Sequence, residues 1–403
     1  MKSVTEKKRV LFVSIAPPEN NHGVRVVMYR HLIEHQSFNV LAATNTDYNA
    51  EGHSYLKLRL PYIPHRIQQS RLGPPLRKWI GDYANMVWPR GESRQLEQAV
   101  EEFRPDVVLA LADNSLSELA GRVADRYGLP LAGLFLDWVP IMDGYYGHKW
   151  TCEPLSRRFR QFYRRCDLAF CTSDGMQEVL GVHPNCHVIY PMPGKHRVPE
   201  NTHPPSNGKF RLVYVGSVEN FYGRMICSLL ELFRQQPGME FIVVGPNADW
   251  PKEILEQARA NGTYLGFKPP EEAAAVLAGA DALLVVMSFE EEYKLFMRTS
   301  FTTKFLDYVA FGKPVILWGP EYCTPVRVAR KHGGAMVVDS AEAAAVVAGC
   351  RRIAETTMLR QQLSAEARGL HATLFNPDRL QNIFVTEMEK LVSSQLSERR
   401  AAA

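Results

Sequence analysis

The sequence predicts an α/β protein made of two Rossmann-like, parallel-sheet domains, and three observations carry that expectation. The chain has 403 residues, more than one hydrophobic core ordinarily serves. Its apolar residues come in short continuous runs, such as Val107 to Leu111 and Ala282 to Val286, separated by helical stretches, which is how strands buried on both faces read. Between Pro191 and Gly208 five Pro and two Gly interrupt the pattern, and the same grammar then restarts. The expected organisation is a domain over 1–192, a linker over 193–208, a second domain over 209–375 and a closing helical segment over 376–403.

In the first half, Arg9 to Ile15 reads as a central parallel strand. A loop of Pro, Asn and Gly ending at Gly23 leads into a helix from Val24 to about His35, and Phe38 to Thr44 is the next strand. Gly-x-Gly-x-x-Gly is absent, so the loop is not a dinucleotide fingerprint. Asn21 and His22, beside Gly23, are polar groups of that loop. Further strands are expected at Asp106 to Leu111, Leu131 to Leu136, Asp167 to Thr172 and His187 to Tyr190. Asp137 closes the second of these runs, at the carboxyl end of a buried strand, where open α/β sheets place ligand contacts; the alternative is a cap on the following turn. Asp143 and His148 follow in the adjacent loop.

Two basic stretches stand out. From Lys57 to Arg94 eight Lys or Arg face two acidic residues, with Pro and aromatics between them. A helix from about Pro75 to Val87 carries Trp79, Tyr83 and Val87 on one side. Such a segment either rests on an anionic membrane surface or is a solvated basic loop with Trp79 in the core. A helix over 154–166 places Leu155, Phe159, Phe162 and Cys166 on one face and five arginines outward, as a solvated face or a lipid-headgroup contact.

The second half repeats strands at Phe210 to Gly216, Phe241 to Gly245, Thr263 to Phe267, Ala282 to Val286 and Val315 to Trp318, and Asp378 to Leu396 reads as an amphipathic helix. Its most informative stretch runs from Arg298 to Trp318. Thr299, Ser300, Thr302 and Thr303 offer N-cap oxygens, and Phe305, Leu306, Val309 and Ala310 form one apolar stripe of a short helix. Gly312 and Pro314 end it. Its first turn exposes unpaired N–H groups beside Lys304, and Asp307 follows three residues on, so the corner suits an anion with hydroxyls beyond it. An ordinary surface pair of Lys304 and Asp307 is the competing reading.

Ser300-Phe-Thr-Thr-Lys304-Phe-Leu-Asp307-Tyr-Val-Ala-Phe-Gly312-Lys-Pro-Val-Ile resembles the donor-site segment of retaining glycosyltransferases of family four. Tyr214-Val-Gly216-Ser217, Gly266-Phe267-Lys-Pro and Ala280-Asp281-Ala-Leu-Leu-Val match the family's order and spacing. The resemblance covers residues 210 to 340 well and the earlier chain less. It implies the GT-B architecture, two Rossmann-like domains facing a cleft with the last helix crossing back onto the first. The first domain is then the acceptor domain, with Asp137 as its catalytic carboxylate and Gly23 on the cleft side. The second is the donor domain, with Gly216, Ser217, Thr299, Ser300, Thr303 and Lys304 around the diphosphate, Gly266 and Phe267 at the base, and Asp307 on the ribose. The chain departs from the family at Thr299, where many members carry a glutamate addressing the transferred sugar, and at Ser217, where many carry Arg or Lys. Glu290, Glu291 and Glu292 are the upstream carboxylates that a folded-back loop would supply, and Arg224 and Arg298 the further cations.

The resemblance implies transfer of a sugar from a UDP- or GDP-linked donor to a saccharide, lipid-linked or small-molecule hydroxyl, with retention, without metal or other cofactor, in polysaccharide or glycoconjugate biosynthesis. A silent nucleotide-sugar-binding partner protein and a GT-B sugar-nucleotide epimerase are the alternatives. A net charge of +4 does not fit a dedicated nucleic-acid binder. Seven cysteines without a Cys-x-x-Cys pair are expected to be reduced thiols. With no signal-peptide core and no apolar run near the roughly 20 residues of a membrane helix, a cytoplasmic location is expected, peripheral on the inner membrane face if the basic segment meets lipid.

Overall fold

The computed structural model of the chain describes residues 7–20, 23–50, 52–59, 73–91, 93–113, 115–142, 148–194 and 208–402. It separates into two compact units, Met1–Met192 with Leu380–Ala403, and Pro193–Arg379.

The first unit is built on a seven-stranded sheet, β1 (Arg9–Val13), β2 (Asn39–Thr44), β3 (Ser54–Lys57), β4 (Val107–Leu111), β5 (Leu131–Phe135), β6 (Leu168–Cys171) and β7 (Cys186–Val188), in the order β3-β2-β1-β4-β5-β6-β7. Every neighbouring pair is parallel. This is the doubly wound order with one strand added, and its direction reverses between β1 and β4. Val10–Val13 of β1 and all of β4 are buried, as their unbroken apolar sequences require. The expected helix after β1 begins at Gly23 but keeps α geometry only to Tyr29, and Arg30–Glu34 relaxes into a π-helical turn.

The closing helix, Pro377–Ala402, belongs to this unit from Leu380 onward. Leu380, Phe384, Met388 and Leu391 recur at intervals of four, four and three residues and are all buried, which is one helical face. Phe384 lies 4.8 Å from the His31 ring, 5.9 Å edge-on from Phe38 and 5.1 Å from Phe170. Each such burial contributes about 2 kcal/mol, so the helix is a structural part of the unit.

The second unit carries five parallel strands, β8 (Phe210–Val215), β9 (Met239–Val244), β10 (Ala282–Val286), β11 (Val315–Trp318) and β12 (Met336–Val338), in the order β12-β11-β10-β8-β9. Read from the other edge this is the other common doubly wound order, with its reversal between β8 and β10. The strand expected at Thr263 to Phe267 is reduced to an isolated bridge between Val243 and Tyr264. Three backbone hydrogen bonds still tie the segment to β9, Val243 N–H to Thr263 O (2.8 Å), Leu265 N–H to Val243 O (2.9 Å) and Gly245 N–H to Gly266 O (3.0 Å), before solvent-exposed Phe267 ends it.

On one face of this sheet Leu212, Tyr214, Ile226, Leu229, Phe241, Leu284 and Trp318 form the main core. On the other, the short Thr303–Val309 helix is seated by buried Phe305, Leu306 and Val309. Phe305 meets Phe375 edge-on at 5.5 Å and Phe301 at 6.3 Å. That seating fixes where the helix's first turn points.

Candidate functional site

The candidate site lies in the second unit, at the carboxyl end of β8, beside the reversal of strand order. Gly216 ends that strand with its N–H donating to Val244 O (2.9 Å) and with φ +149°. A side chain could not follow there, because a Cβ on Gly216 would overlap Lys304 Cε and lie 3.0 Å from its Nζ. Gly245, ending β9, is equally constrained, since a Cβ there would run into the Gly216 carbonyl. Its N–H donates to Gly266 O at 3.0 Å. Three glycines therefore stand side by side, Gly216 and Gly245 because packing leaves no room for a side chain, and Gly266 at φ +67° with open space beside it.

Lys304, in the first turn of the Thr303–Val309 helix, crosses this glycine floor. Its ammonium sits 4.8 Å from the centre of the Tyr222 ring and 5.6 Å from that of Tyr214. Burial lowers its pKa from 10.5 to about 8, an effect that the nearby Asp307 charge opposes. Asp307 Oδ1 accepts the N–H of Gly194 (2.9 Å). Tyr308, the next residue, pins the helix to the strand: its hydroxyl donates to Val215 O and accepts from Val215 N, both at 2.9 Å. Lysine, glycine and tyrosine are thus held by one strand end and one helix start.

The remaining expected donor-site residues divide. Thr303 is in the first turn beside Lys304, and Ser217 is exposed just beyond Gly216, its carbonyl accepting from Tyr214 Oη (2.6 Å). Gly266 adjoins Gly245, and Phe267 after it is 68% exposed. Ser300 is buried, and its Oγ meets no hydrogen-bond partner among the described residues. Thr299 is the correction. Its side chain is fully buried and its hydroxyl donates to Leu295 O at 2.8 Å, one turn back along its own helix Lys294–Thr299, so it presents nothing to a ligand. The N-cap reading also fails, because Thr302 occupies the cap position without a side-chain hydrogen bond. Two of the three upstream carboxylates are engaged: Glu290 takes the Arg224 guanidinium in a two-pronged pair at 2.6 and 2.8 Å, and Glu291 takes Lys294 at 2.9 Å, while Glu292 is exposed. Arg298 is exposed at the end of its helix.

In the first unit, Asp137 sits half-buried in the turn after β5. Gly23 starts its helix at φ +59° with open space where a Cβ would be. Asn21, His22 and Asp143 lie outside the described residues. His148 is held by Asp82, whose carboxylate meets Nδ1 at 2.6 Å and the backbone N–H at 2.9 Å.

One carboxylate was missed. Asp113 follows β4 at the β1/β4 reversal, 4% exposed, and accepts N–H groups of Ser115 (2.9 Å), Ser117 (3.0 Å) and Ile15 (3.4 Å). Burial raises it to about 6 against those hydrogen bonds. The rule that singled out Asp137, a carboxylate closing a buried strand, applies equally to Leu111-Ala-Asp113. Among the described residues no group of three or more His, Cys, Asp or Glu side chains could hold a metal ion, and no helix is long and apolar enough to cross a membrane.

Residues 209–356 match the family described as Glycosyl transferases group 1, the segment that contains the whole lysine-glycine corner. No curated protein matches the chain. Sucrose-phosphate synthase from Thermosynechococcus elongatus is similar over 96% of this chain and 100% of its own, at 13% identity and a TM-score of 0.65. The Anabaena protein Alr3699/HepE, in complex with UDP and glucose, is similar over 95% and 100%, at 14% and 0.67. The chain has the GT-B fold. A putative UDP-N-acetylglucosamine 2-epimerase from Listeria monocytogenes is more distant, at 13% identity, 89% and 91% coverage and a TM-score of 0.50.

Proposed function

We propose that the protein is a glycosyltransferase that takes a sugar from a nucleoside-diphosphate donor held at the Gly216–Lys304 corner and passes it to a hydroxyl acceptor with retention. One observation carries the reading. The Lys304 ammonium is packed over Gly216 and between two tyrosine rings, and it makes no hydrogen bond or ion pair with a described residue. A desolvated cation without an acceptor is costly, and an anion beside it removes that cost. The family match over 209–356 and the Anabaena neighbour, whose structure holds UDP and glucose, support a nucleoside diphosphate as that anion.

In this reading the Lys304 ammonium and the first-turn N–H groups of Thr303 and Lys304 face the diphosphate, where negative charge grows as the sugar leaves. Such prearranged donors lower the barrier because they need no reorganisation at the moment of bond breaking. Gly216 keeps side chains away from the phosphates, Phe267 offers an exposed ring for the base, and Asp307 offers carboxylate oxygen toward ribose. Asp137 is assigned to the acceptor, and no metal or other cofactor is required. The seven free thiols fit a reducing compartment, so we assign the protein to the cytoplasm. Glycan or glycoconjugate assembly is the process to which such a transfer belongs.

The test is a panel of UDP-, GDP- and dTDP-sugars read by thermal shift and then by nucleotide release. One nucleotide class is expected to raise the melting temperature, Lys304→Met and Asp307→Ala to lose that rise, and an acceptor to release the free diphosphate. Donor consumed without acceptor, its nucleotide still attached, would favour the epimerase reading raised by the Listeria neighbour. A shift without turnover across acceptors would leave a binding protein.

A further inference from the structure

The helix Gly73–Met86 is mounted inside out. Leu76, Trp79 and Tyr83, with Val87 immediately after, recur at intervals of three, four and four residues, which places them on one face. In a soluble domain that face ordinarily meets the core. Here the four are 36%, 61%, 49% and 51% exposed, which overturns the reading of Trp79 as a core residue. Trp150, on the neighbouring turn Lys149–Thr151, is 60% exposed.

The polar side of the helix does the anchoring. Asp82 is buried and holds the backbone N–H and the ring of His148. The Arg158 guanidinium donates to the carbonyls of Asn85 and Met86, closing the helix's carboxyl end. The Trp79 ring lies 4.8 Å from the His148 ring at a tilt of 57°. The outward orientation is therefore fixed by hydrogen bonds from one flank of the helix and from its carboxyl end.

Around the apolar stripe the charges are basic. Arg77 and Lys78 are exposed on the helix itself and Lys149 beside Trp150, while the nearby Glu153 is paired with Arg157 at 3.2 Å. Exposed Trp and Tyr bordered by Lys and Arg is the composition of a helix lying in a membrane interface. A second copy of the chain docked on the same face would set Arg77 and Lys78 against their own images, whereas an anionic lipid surface attracts them.

We propose that the face formed by Leu76, Trp79, Tyr83, Val87 and Trp150, with Arg77, Lys78 and Lys149, docks the protein on an anionic lipid bilayer. The chain lies on the membrane through this face, and no helix among the described residues is suited to cross it.

The experiment is co-sedimentation of the full chain with vesicles of phosphatidylcholine containing about a third phosphatidylglycerol, against phosphatidylcholine alone. Wild type is expected to partition onto the anionic vesicles on the order of tenfold more strongly. The double variant Trp79→Ser with Tyr83→Ser is expected to lose about tenfold in partitioning, and the pair Arg77→Glu with Lys78→Glu at least as much. All should stay folded with a melting temperature within a few degrees of wild type, since the substituted side chains are largely exposed and the Asp82 and Arg158 hydrogen bonds remain. Val182→Ser, at an exposed apolar position elsewhere in the same unit, should bind as wild type does. Equal binding to both vesicle types, or undiminished binding by the Trp79/Tyr83 variant, overturns the proposal. So does a self-association in light scattering that the Trp79/Tyr83 variant abolishes while no vesicle binding is seen, which would make the face a contact between copies.

Discussion

Lys304 lies where a side chain at position 216 would have to be. The strand end and the helix start share one space, so the glycine and the lysine are a single structural decision. In Gly216→Ala the new methyl group and Lys304 cannot both stay. The lysine, being flexible at its far end, is the part that gives way. We expect a stability loss of about 1–3 kcal/mol from the positive φ, and loss of nucleotide-induced stabilisation because the cation has left its place. The check is a double-mutant cycle with Lys304→Ala, read by ligand-induced thermal shift. Removing the lysine should cost much when Gly216 is intact and little when Gly216→Ala is already present. Additive losses would mean that the two residues act separately.

The lysine's environment makes ligand binding visible as proton uptake. Burial holds Lys304 at about 8, while an unfolded lysine titrates near 10.4. Between these values the unfolded chain carries a proton that the folded chain lacks, so stability without ligand rises with pH across that window. Below about 8 both states are protonated, and the whole burial penalty is felt. An anion beside the ammonium raises its pKa again, so near pH 8 binding should draw in about half a proton. Calorimetry in buffers of different ionisation enthalpy measures this, and Lys304→Met should abolish the buffer dependence. Binding with no buffer dependence in the wild type would take Lys304 out of contact with the anion.

Tyr308 tests whether the helix start is positioned or merely adjacent. Its hydroxyl both donates to and accepts from the backbone of Val215. Tyr308→Phe leaves that strand end with an unpaired N–H and C=O, at a cost of about 1–3 kcal/mol. If the pin also sets Lys304 over Gly216, nucleotide affinity should fall in the variant although Tyr308 itself is buried. A stability loss with unchanged affinity would reduce the tyrosine to a packing role.

How much of this was legible in the chain differs by kind of information. Strands of unbroken apolar residues, such as Val107 to Leu111 and Ala282 to Val286, appeared within a residue of where they were expected, because burial on both faces leaves no other composition. Short edge strands did not show: Ser54–Lys57 and Met336–Val338 have three or four residues and little pattern. At the site, a lysine in a first helical turn was readable from spacing. Its contact with Gly216 joins residues far apart in sequence, and no local pattern contains that. Thr299 was misread because its hydroxyl seemed available, whereas a helix lets threonine donate to its own preceding turn. The exposure of Trp79 was also illegible, since the stripe of Leu76, Trp79 and Tyr83 is the same whether it faces a core or solvent.

The closing helix gives the first unit a pH dependence of its own. Gln381 Nε2 donates to His31 O at 3.0 Å, which leaves its Oε1 as the acceptor for Nδ1–H of the His31 ring at 3.0 Å. The ring is buried against Phe384. Desolvation lowers its pKa to about 4, more than the Gln381 hydrogen bond restores, and His35 and Arg30 lower it further. Protonation is thus favoured in the unfolded chain from about 6.5 downward and resisted in the folded unit until about 4. Over that interval the unfolded state binds the extra proton, so stability falls as the solution is acidified, by at most about 3 kcal/mol. Urea titrations across the interval should show His31→Gln with a shallower slope against pH than wild type, even though it packs less well against Phe384 and starts from a lower stability. Parallel slopes would mean that the ring is hydrated in solution, and that the helix from Leu380 onward is held by its apolar face without the His31–Gln381 bond.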